Sequence, residues 1–301
     1  LINALNSLGM KISSPRGAAF PLLVSGPLAG GKIILDGLTS QYLSALLISL
    51  PLARENSEIT VPNLHERPYV EMTTYWLDQQ GIAYQWLAQN GADIFTITGG
   101  QSYHPFTQTI PGDFSSASYL LAAAAFFPGE VTITGLDFKD SQGDKRIVAI
   151  LQAMGAAIEI SPEKLIIRGG QPLRGLEIDS KEIPDLLPTL AVLGTYASGV
   201  TSLVNAPQAR LKETDRLHSM AQGLSRLGAK VEEKADGLIV RQSLLKGSPV
   251  HGFNDHRTVM ALSLAGMLAS GQTVIDTAEA VNKTFPGFVK TMQGLGAKMV
   301  F

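Results

Sequence analysis

Five times along the chain a short pattern returns: an apolar residue, two variable positions, a residue that is usually apolar, glycine, two more residues and another apolar one. The copies are LNSLGMKI at residues 5–12, LDQQGIAY at 77–84, LQAMGAAI at 151–158, LSRLGAKV at 224–231 and MQGLGAKM at 292–299. Their glycines, Gly9, Gly81, Gly155, Gly228 and Gly296, stand 72, 74, 73 and 68 residues apart. Each glycine follows apolar residues at helical spacing and precedes an alternating run. That is where a helix ends in a left-handed glycine and the chain turns into a strand. A near-constant period over the whole chain means one supersecondary unit used repeatedly, and such a unit must bury its apolar face against its neighbours.

Four copies share an upstream half. It opens on small or polar residues and continues as an apolar helix: TSQYLSALL from Thr39, FSSASYLLAAAA from Phe114, IPDLLPTLAVL from Ile183 and NDHRTVMALSLA from Asn254. The strands EITVPNL, GEVTITGL, GVTSLVNA and GQTVIDTA follow. Each unit therefore reads helix, strand, loop, helix, strand, often with a further strand such as KLIIRG or GLIVRQ, which predicts an α/β fold. Residues 1–12 supply only the back half of a unit, so sequence preceding Leu1 is expected. Punctuation at Gly99, Gly100, Pro105, Pro111 and Gly112 marks a linker. The predicted domains are 1–111, an incomplete one holding half a unit and one full unit, and 112–301, holding three units. The first domain is expected to lack sheet strands or helices and to be the less stable.

Composition removes several classes of function. A hydrophobic fraction of 45% with 17% charged residues describes an ordinary globular chain. A net charge of −2 offers no global field for nucleic acid or a membrane surface, so an anion site has to be a local cluster of Lys and Arg. The absence of cysteine excludes disulfides, thiolate metal sites and a Cys nucleophile, and fits a cytoplasmic protein. The longest apolar run, residues 119–127, is too short to span a bilayer. No HExxH, P-loop, GxSxG or clustered His motif is present.

The polar residues gather at predicted helix starts. In NAPQARLKETDRLHSMAQGLSRLGAKVE (205–232), helical spacing puts Lys212, Glu213, Asp215 and Arg216 in a first turn. Cations are disfavoured there by the helix dipole. They suit either a solvated helix start with i,i+4 ion pairs or an anion site beside exposed N–H groups. Thr39, Ser40 and Gln41 fit phosphate binding or plain N-capping. Ser115, Ser116 and Ser118 read as capping and close packing. In Asn254-Asp255-His256-Arg257, Arg257 offers a planar fork to a carboxylate or phosphate, the alternative being a local pair with Asp255. His256 reads as structural or as an anion contact. Lys283 stands just before Pro286, the expected first turn of the last helix, and reads either as an anion contact at that helix start or as a solvated loop lysine. Asp185 reads as a cap or as a carboxylate base. Lys212, Arg216, Arg257 and Lys283 together suggest a cleft built for several negative charges.

These residues carry a resemblance. TSQYLSALL, RPY at 67–69, GDFSSASYLLAAAA from Gly112, IPD at 183–185, LKETDRL from Leu211, NDHR from Asn254 and KTFP from Lys283 resemble the 5-enolpyruvylshikimate-3-phosphate synthases, a branch of the enolpyruvyl transferases. The resemblance spans essentially the whole chain. It implies a two-domain inverse α/β fold of repeated units with ligands in the cleft between domains. It also implies transfer of the carboxyvinyl group of phosphoenolpyruvate to the 5-hydroxyl of shikimate 3-phosphate, in chorismate biosynthesis, with no cofactor and no metal.

By resemblance, Thr39, Ser40, Gln41, Tyr69, Asp185, Gln208 and Lys212 contact shikimate 3-phosphate. Gln41, Arg216, Arg257 and Lys283 contact phosphoenolpyruvate. Asp185 and Glu213 are the proton-transfer carboxylates. The expected partners are these two small molecules, with neither nucleic acid nor membrane, acting on a monomer. The chain departs from the family by lacking its N-terminal Lys-Ser segment and its Gly-rich phosphoenolpyruvate loop. Glu66 stands where a phosphate-binding Ser is common, and would repel a phosphate unless Arg67 takes over that contact. Gln208 stands where some members have Asn. Two alternatives accompany this reading: a UDP-N-acetylglucosamine enolpyruvyl transferase of the same fold, against which KETDR argues, and a non-catalytic anion-binding homologue or fragment.

Overall fold

The computed structural model describes residues 1–17 and 20–301, which form two compact units, Leu1–Thr109 and Ile110–Phe301. The repeat glycines behave as their context predicts. Gly9, Gly81, Gly155, Gly228 and Gly296 all have positive φ, between 66° and 115°. At each, a helix stops and its last carbonyls are satisfied by the reversing chain, a conformation that a Cβ would penalise.

In the first unit, α1 (Ile2–Ser7) leads to a small antiparallel pair, β1 (Lys11–Ser13) and β2 (Leu23–Ser25). There follow β3 (Gly31–Ile34), α2 (Ser40–Ser49), β4 (Ser57–Pro62), α3 (Arg67–Gln79), β5 (Tyr84–Gln89) and β6 (Ala92–Ile97). β3 pairs parallel with β4, and β6 lies antiparallel between β4 and β5. The β5–β6 hairpin turns at Asn90-Gly91, both at positive φ, as a tight two-residue turn demands. Leu43, Leu46, Leu47, Ile59, Val70, Leu77 and Phe95 pack into a core between the sheet and its two helices.

The second unit uses the same plan three times. Its first set is α4 (Phe114–Phe126), β7 (Gly129–Thr134), α5 (Arg146–Met154), β8 (Ala157–Ile160) and β9 (Lys164–Gly169). Its second is β10 (Glu177–Asp179), α6 (Leu187–Tyr196), β11 (Val200–Val204), α7 (Arg216–Arg226), β12 (Lys230–Lys234) and β13 (Gly237–Arg241). Its third is β14 (Pro249–Val250), α8 (His256–Leu268), β15 (Val274–Ile275) and α9 (Phe288–Gly294). The order β10-β11-β13-β12, with one parallel and two antiparallel ladders, reproduces β3-β4-β6-β5 of the first unit. β7-β9-β8 is antiparallel throughout, and β14 and β15 pair in parallel.

α4, α6 and α8 are apolar on nearly every side and all three are buried in one core, as a helix without a polar face has to be. Hydroxyls stitch the helices together: Ser118 to Thr189 between α4 and α6 at 3.1 Å, and Ser219 to Thr258 between α7 and α8 at 3.1 Å. A Cβ on Gly223 would come within 2.7 Å of Leu262, so α7 approaches α8 closely because that position carries no side chain.

Two expectations shift. GQTVIDTA forms only the two-residue β15, and residues 297–301 after Gly296 enter no ladder among the described residues, so the fifth copy keeps its helix and glycine but not its strand. An alternating apolar pattern needs a neighbouring strand to satisfy its backbone before it becomes one.

Candidate active site

The α7 start differs from the sequence reading. Residues 207–211 form a 3-10 turn and α7 begins at Arg216, so Lys212 and Glu213 lie ahead of the helix rather than in its first turn. The cap is Asp215, which accepts from the His218 amide at 3.0 Å. Arg210 fixes the loop from behind. It donates to Asp215 at 2.6 Å, to Glu233 at 2.8 Å and to the carbonyls of Lys234 and Ala235 at 2.6 and 2.8 Å.

Held in this way, Arg216 turns inward and is 1% exposed. Each of its nitrogens meets a different carboxylate: Nε donates to Asp255 at 2.8 Å, one terminal nitrogen to Asp185 at 2.7 Å and the other to Glu213 at 2.6 Å. Asp185 also accepts from Arg257 at 2.8 Å through its second oxygen, and Lys212 Nζ lies 3.9 Å from the first. One carboxylate thus bridges two guanidiniums supplied by α7 and α8. Buried charges are tolerable only when paired and hydrogen-bonded in this manner.

Asp255, offered by the sequence as a local partner of Arg257, does two things. It caps α8 by accepting from the amides of Arg257 and Thr258 at 2.7 and 3.2 Å, and it holds Arg216. Asp185 is not a helix cap. It sits in the 3-10 turn Pro184–Leu186 ahead of α6, with its carboxylate committed to the arginines. Lys283 ends a 3-10 helix, Ala278–Lys283, ahead of α9. Its ammonium donates to the Asn254 carbonyl at 2.6 Å. That carbonyl belongs to a left-handed pair, Phe253 and Asn254, braced by Asp276 and Thr277, which accept from the amides of Gly252 and Asn254 at 2.9 and 3.1 Å. Gln208 is buried, with its amide nitrogen on the Lys181 carbonyl at 2.8 Å.

The electrostatics divide the acids. Burial opposes ionisation of Asp185, but Arg257, Arg216 and Lys212 outweigh it and hold the carboxyl well below the usual carboxylate range. Asp144, just before α5, goes the other way. Burial and the neighbouring Asp185 charge push it up to about 7 against the opposing pull of Arg257 and a hydrogen bond from the Ser115 hydroxyl. His256 is held below its ordinary value by burial and by Arg257. The Tyr119 phenol, fully buried beside Arg257 and Arg216, is pushed up to about 12 by burial.

Asp144, Ser115 and Tyr119 were not among the sequence-predicted site residues. In SQGDKR nothing local separates Asp144 from an ordinary cap. Raised in this way, Asp144 contributes stability that is complete below the ordinary carboxylate range of about 4 and is lost as pH rises through about 7. Asp144→Asn, which keeps an acceptor for Ser115, is therefore expected to gain unfolding temperature relative to the parent between pH 5 and pH 8. A difference between the two proteins that stays constant over that range would mean that Asp144 does not titrate there.

In the first unit, Thr39 caps α2 by accepting from the Gln41 amide at 3.4 Å. Ser40, Gln41 and Tyr69 line a cavity of about 600 Å³ with Trp76, Tyr103 and Phe106. Arg67 is tied to both oxygens of Asp93 at 2.8 and 2.9 Å and lies over the Trp86 ring at 5.0 Å, while Glu66 is buried against Ser40. Among the described residues no group of three or more His, Asp or Glu is arranged to hold a metal ion, and no helix is long and apolar enough to cross a membrane.

A family model described as EPSP synthase (3-phosphoshikimate 1-carboxyvinyltransferase) matches residues 1–292. A protein of Ruminiclostridium cellulolyticum named 3-phosphoshikimate 1-carboxyvinyltransferase is 47% identical over 300 residues, which are 99% of this chain and 70% of that protein. The chain belongs to the EPSP synthase family. A relative of the same name from Methanothrix thermoacetophila is 48% identical over 303 residues, again covering 99% of this chain and 70% of its own length. Among solved structures, EPSP synthase from Acinetobacter baumannii matches with a TM-score of 0.75 at 25% identity, over 97% of this chain and 69% of that one. The enolpyruvyl transferase NikO from Streptomyces tendae shares the fold, with a TM-score of 0.77 at 18% identity over 99% of this chain and 70% of that one.

Proposed function

We propose that this EPSP synthase family member transfers the carboxyvinyl group of phosphoenolpyruvate to the 5-hydroxyl of shikimate 3-phosphate and releases inorganic phosphate. The observation that carries the assignment of residues is the Asp185 bridge between Arg216 and Arg257. Two guanidiniums that hold one carboxylate between them are spaced to receive another. We assign Arg216, Arg257, Lys283 and Gln41 to phosphoenolpyruvate, and Thr39, Ser40, Gln41, Tyr69, Gln208, Lys212 and Asp185 to shikimate 3-phosphate.

The reaction asks for an acid and a base at different atoms. The methylene carbon of phosphoenolpyruvate gains a proton while the acceptor hydroxyl, losing its own, bonds to C2. The resulting tetrahedral intermediate then loses a methyl proton and phosphate, restoring the double bond. Asp185 is the candidate base and Glu213 the candidate acid. With Arg216 and Arg257 both on Asp185, its basicity is low. A ligand carboxylate or phosphate that takes over those guanidiniums leaves Asp185 buried with less compensation, and its proton affinity rises just when the substrate is in place. Fixed cations then hold the charge that develops on the intermediate.

The test is phosphate release with phosphoenolpyruvate and either of two acceptors. Release is expected with shikimate 3-phosphate and not with UDP-N-acetylglucosamine. The reverse preference would move the chain to the other enolpyruvyl transferase branch, and tight binding of both substrates without release would make it an anion-binding homologue.

A further inference from the structure

Glu66 is a buried charged residue of the first unit to which the reading above gives no task. It is 0% exposed and has φ of 56°, a left-handed conformation that costs a non-glycine residue energy. What that geometry achieves is specific. The carboxylate Oε2 accepts from both the backbone N–H of Ser40, at 3.0 Å, and its hydroxyl, at 2.7 Å. Ser40 is the first residue of α2, and Thr39 already takes the next amide, that of Gln41. The donors and the positive end of the dipole with which a helix start attracts an anion are thus occupied by an anion of the chain itself.

We infer that Glu66 sets the affinity for the phosphorylated acceptor: it is an internal carboxylate that competes with the acceptor's phosphomonoester for Ser40 and the start of α2. The inference rests on the assignment of Thr39, Ser40 and Gln41 to the acceptor phosphate. A phosphate approaching Ser40 must displace Glu66 from its two donors or sit beside its charge, and either way part of the available binding energy is offset. Arg67 already has a counter-charge: one guanidinium nitrogen donates to both oxygens of Asp93, and the Trp86 ring lies beneath the group. Glu66→Gln keeps an oxygen for Ser40 while removing the charge, and Glu66→Ser removes the competing acceptor altogether.

Calorimetric titration of the 301-residue chain with shikimate 3-phosphate is expected to show binding about tenfold or more tighter for Glu66→Gln than for the parent. The gain should be absent for shikimate, which has no phosphate, and should disappear when Ser40→Ala is added. Thermal unfolding identifies which variants are folded; should Glu66→Ser melt early, Glu66→Gln decides. No gain in Glu66→Gln, or an equal gain for shikimate, overturns the inference and leaves Glu66 as a helix cap. The underlying assignment fails separately, if Gln41→Ala and Lys212→Ala both leave affinity for shikimate 3-phosphate unchanged.

Discussion

Arg216→Ala is expected to weaken phosphoenolpyruvate binding by roughly 2–5 kcal/mol, the scale for removing one member of a hydrogen-bonded charge pair from a desolvated site, and to weaken shikimate 3-phosphate binding by much less. The asymmetry follows from the assignment of Arg216 to the donor substrate. The variant also leaves Asp185, Asp255 and Glu213 without the group that joins them. Breaking so buried an arrangement costs the fold roughly 3–5 kcal/mol, so affinities have to be taken at temperatures where unfolding curves show the second unit intact. Arg257→Ala is the companion. Its side chain is 12% exposed against 1% for Arg216, so its removal should show the same ligand preference with a smaller fall in stability. Calorimetry with each substrate separates the cases. Equal weakening of both ligands, or none, would reduce these arginines to structural counter-charges.

Asp185→Asn in a protein that turns over is expected to lower kcat by roughly 10²–10⁴, the scale for removing a positioned general base. Asparagine preserves size and one acceptor oxygen but cannot take a proton. Because the carboxylate serves Arg216 and Arg257, the variant should also melt somewhat earlier. Its pH dependence has the opposite sign to that of Asp144: a carboxyl held far below its ordinary value contributes stability that is present above about pH 4 and is lost as pH falls. Glu213→Gln is the paired measurement, and a larger fall of kcat there would move the base to Glu213. Normal turnover in a variant that merely melts early would leave Asp185 as a bridge between arginines and nothing more.

The parts of this molecule that could be read from sequence are those whose cause is local. The glycine at each helix end was legible because a left-handed residue is demanded within one turn of the chain. The starts of α2 and α8 were legible because Thr39 and Asp255 cap within three residues, whereas the caps of α4 and α7, Asp113 and Asp215, were not singled out. What those starts do was left open between capping and anion binding. In α2, α4, α7 and α8 the first amides are taken by the chain's own Thr, Asp or Glu side chains.

The cations work instead through their side chains. Apart from Glu213, three residues before Arg216, the carboxylates that meet the two arginines lie 31, 39 and 72 residues away, and no short-range signal names them. The period still left a clue. Asp185 and Arg257, like Ser118 and Thr189, stand about one repeat apart, so equivalent positions of neighbouring repeats meet in space. Periodicity said that such positions would be neighbours; it could not say which of them would carry opposite charge.

The threefold grip on Arg216 also constrains how this chain can diverge. A substitution at Arg216 strands three acids, and one at Asp255 removes a helix cap together with a counter-charge. Each single step is worse than its sum with a compensating second step, so accessible evolutionary paths through these positions are narrow and depend on the order of events. Arg67 with Asp93, and Glu66 with Ser40, form tighter local sets within the first unit. Exchanging a member there disturbs fewer other groups. Acceptor preference therefore has more room to drift through the first unit, while the arginine cluster of the second is held in place by mutual dependence.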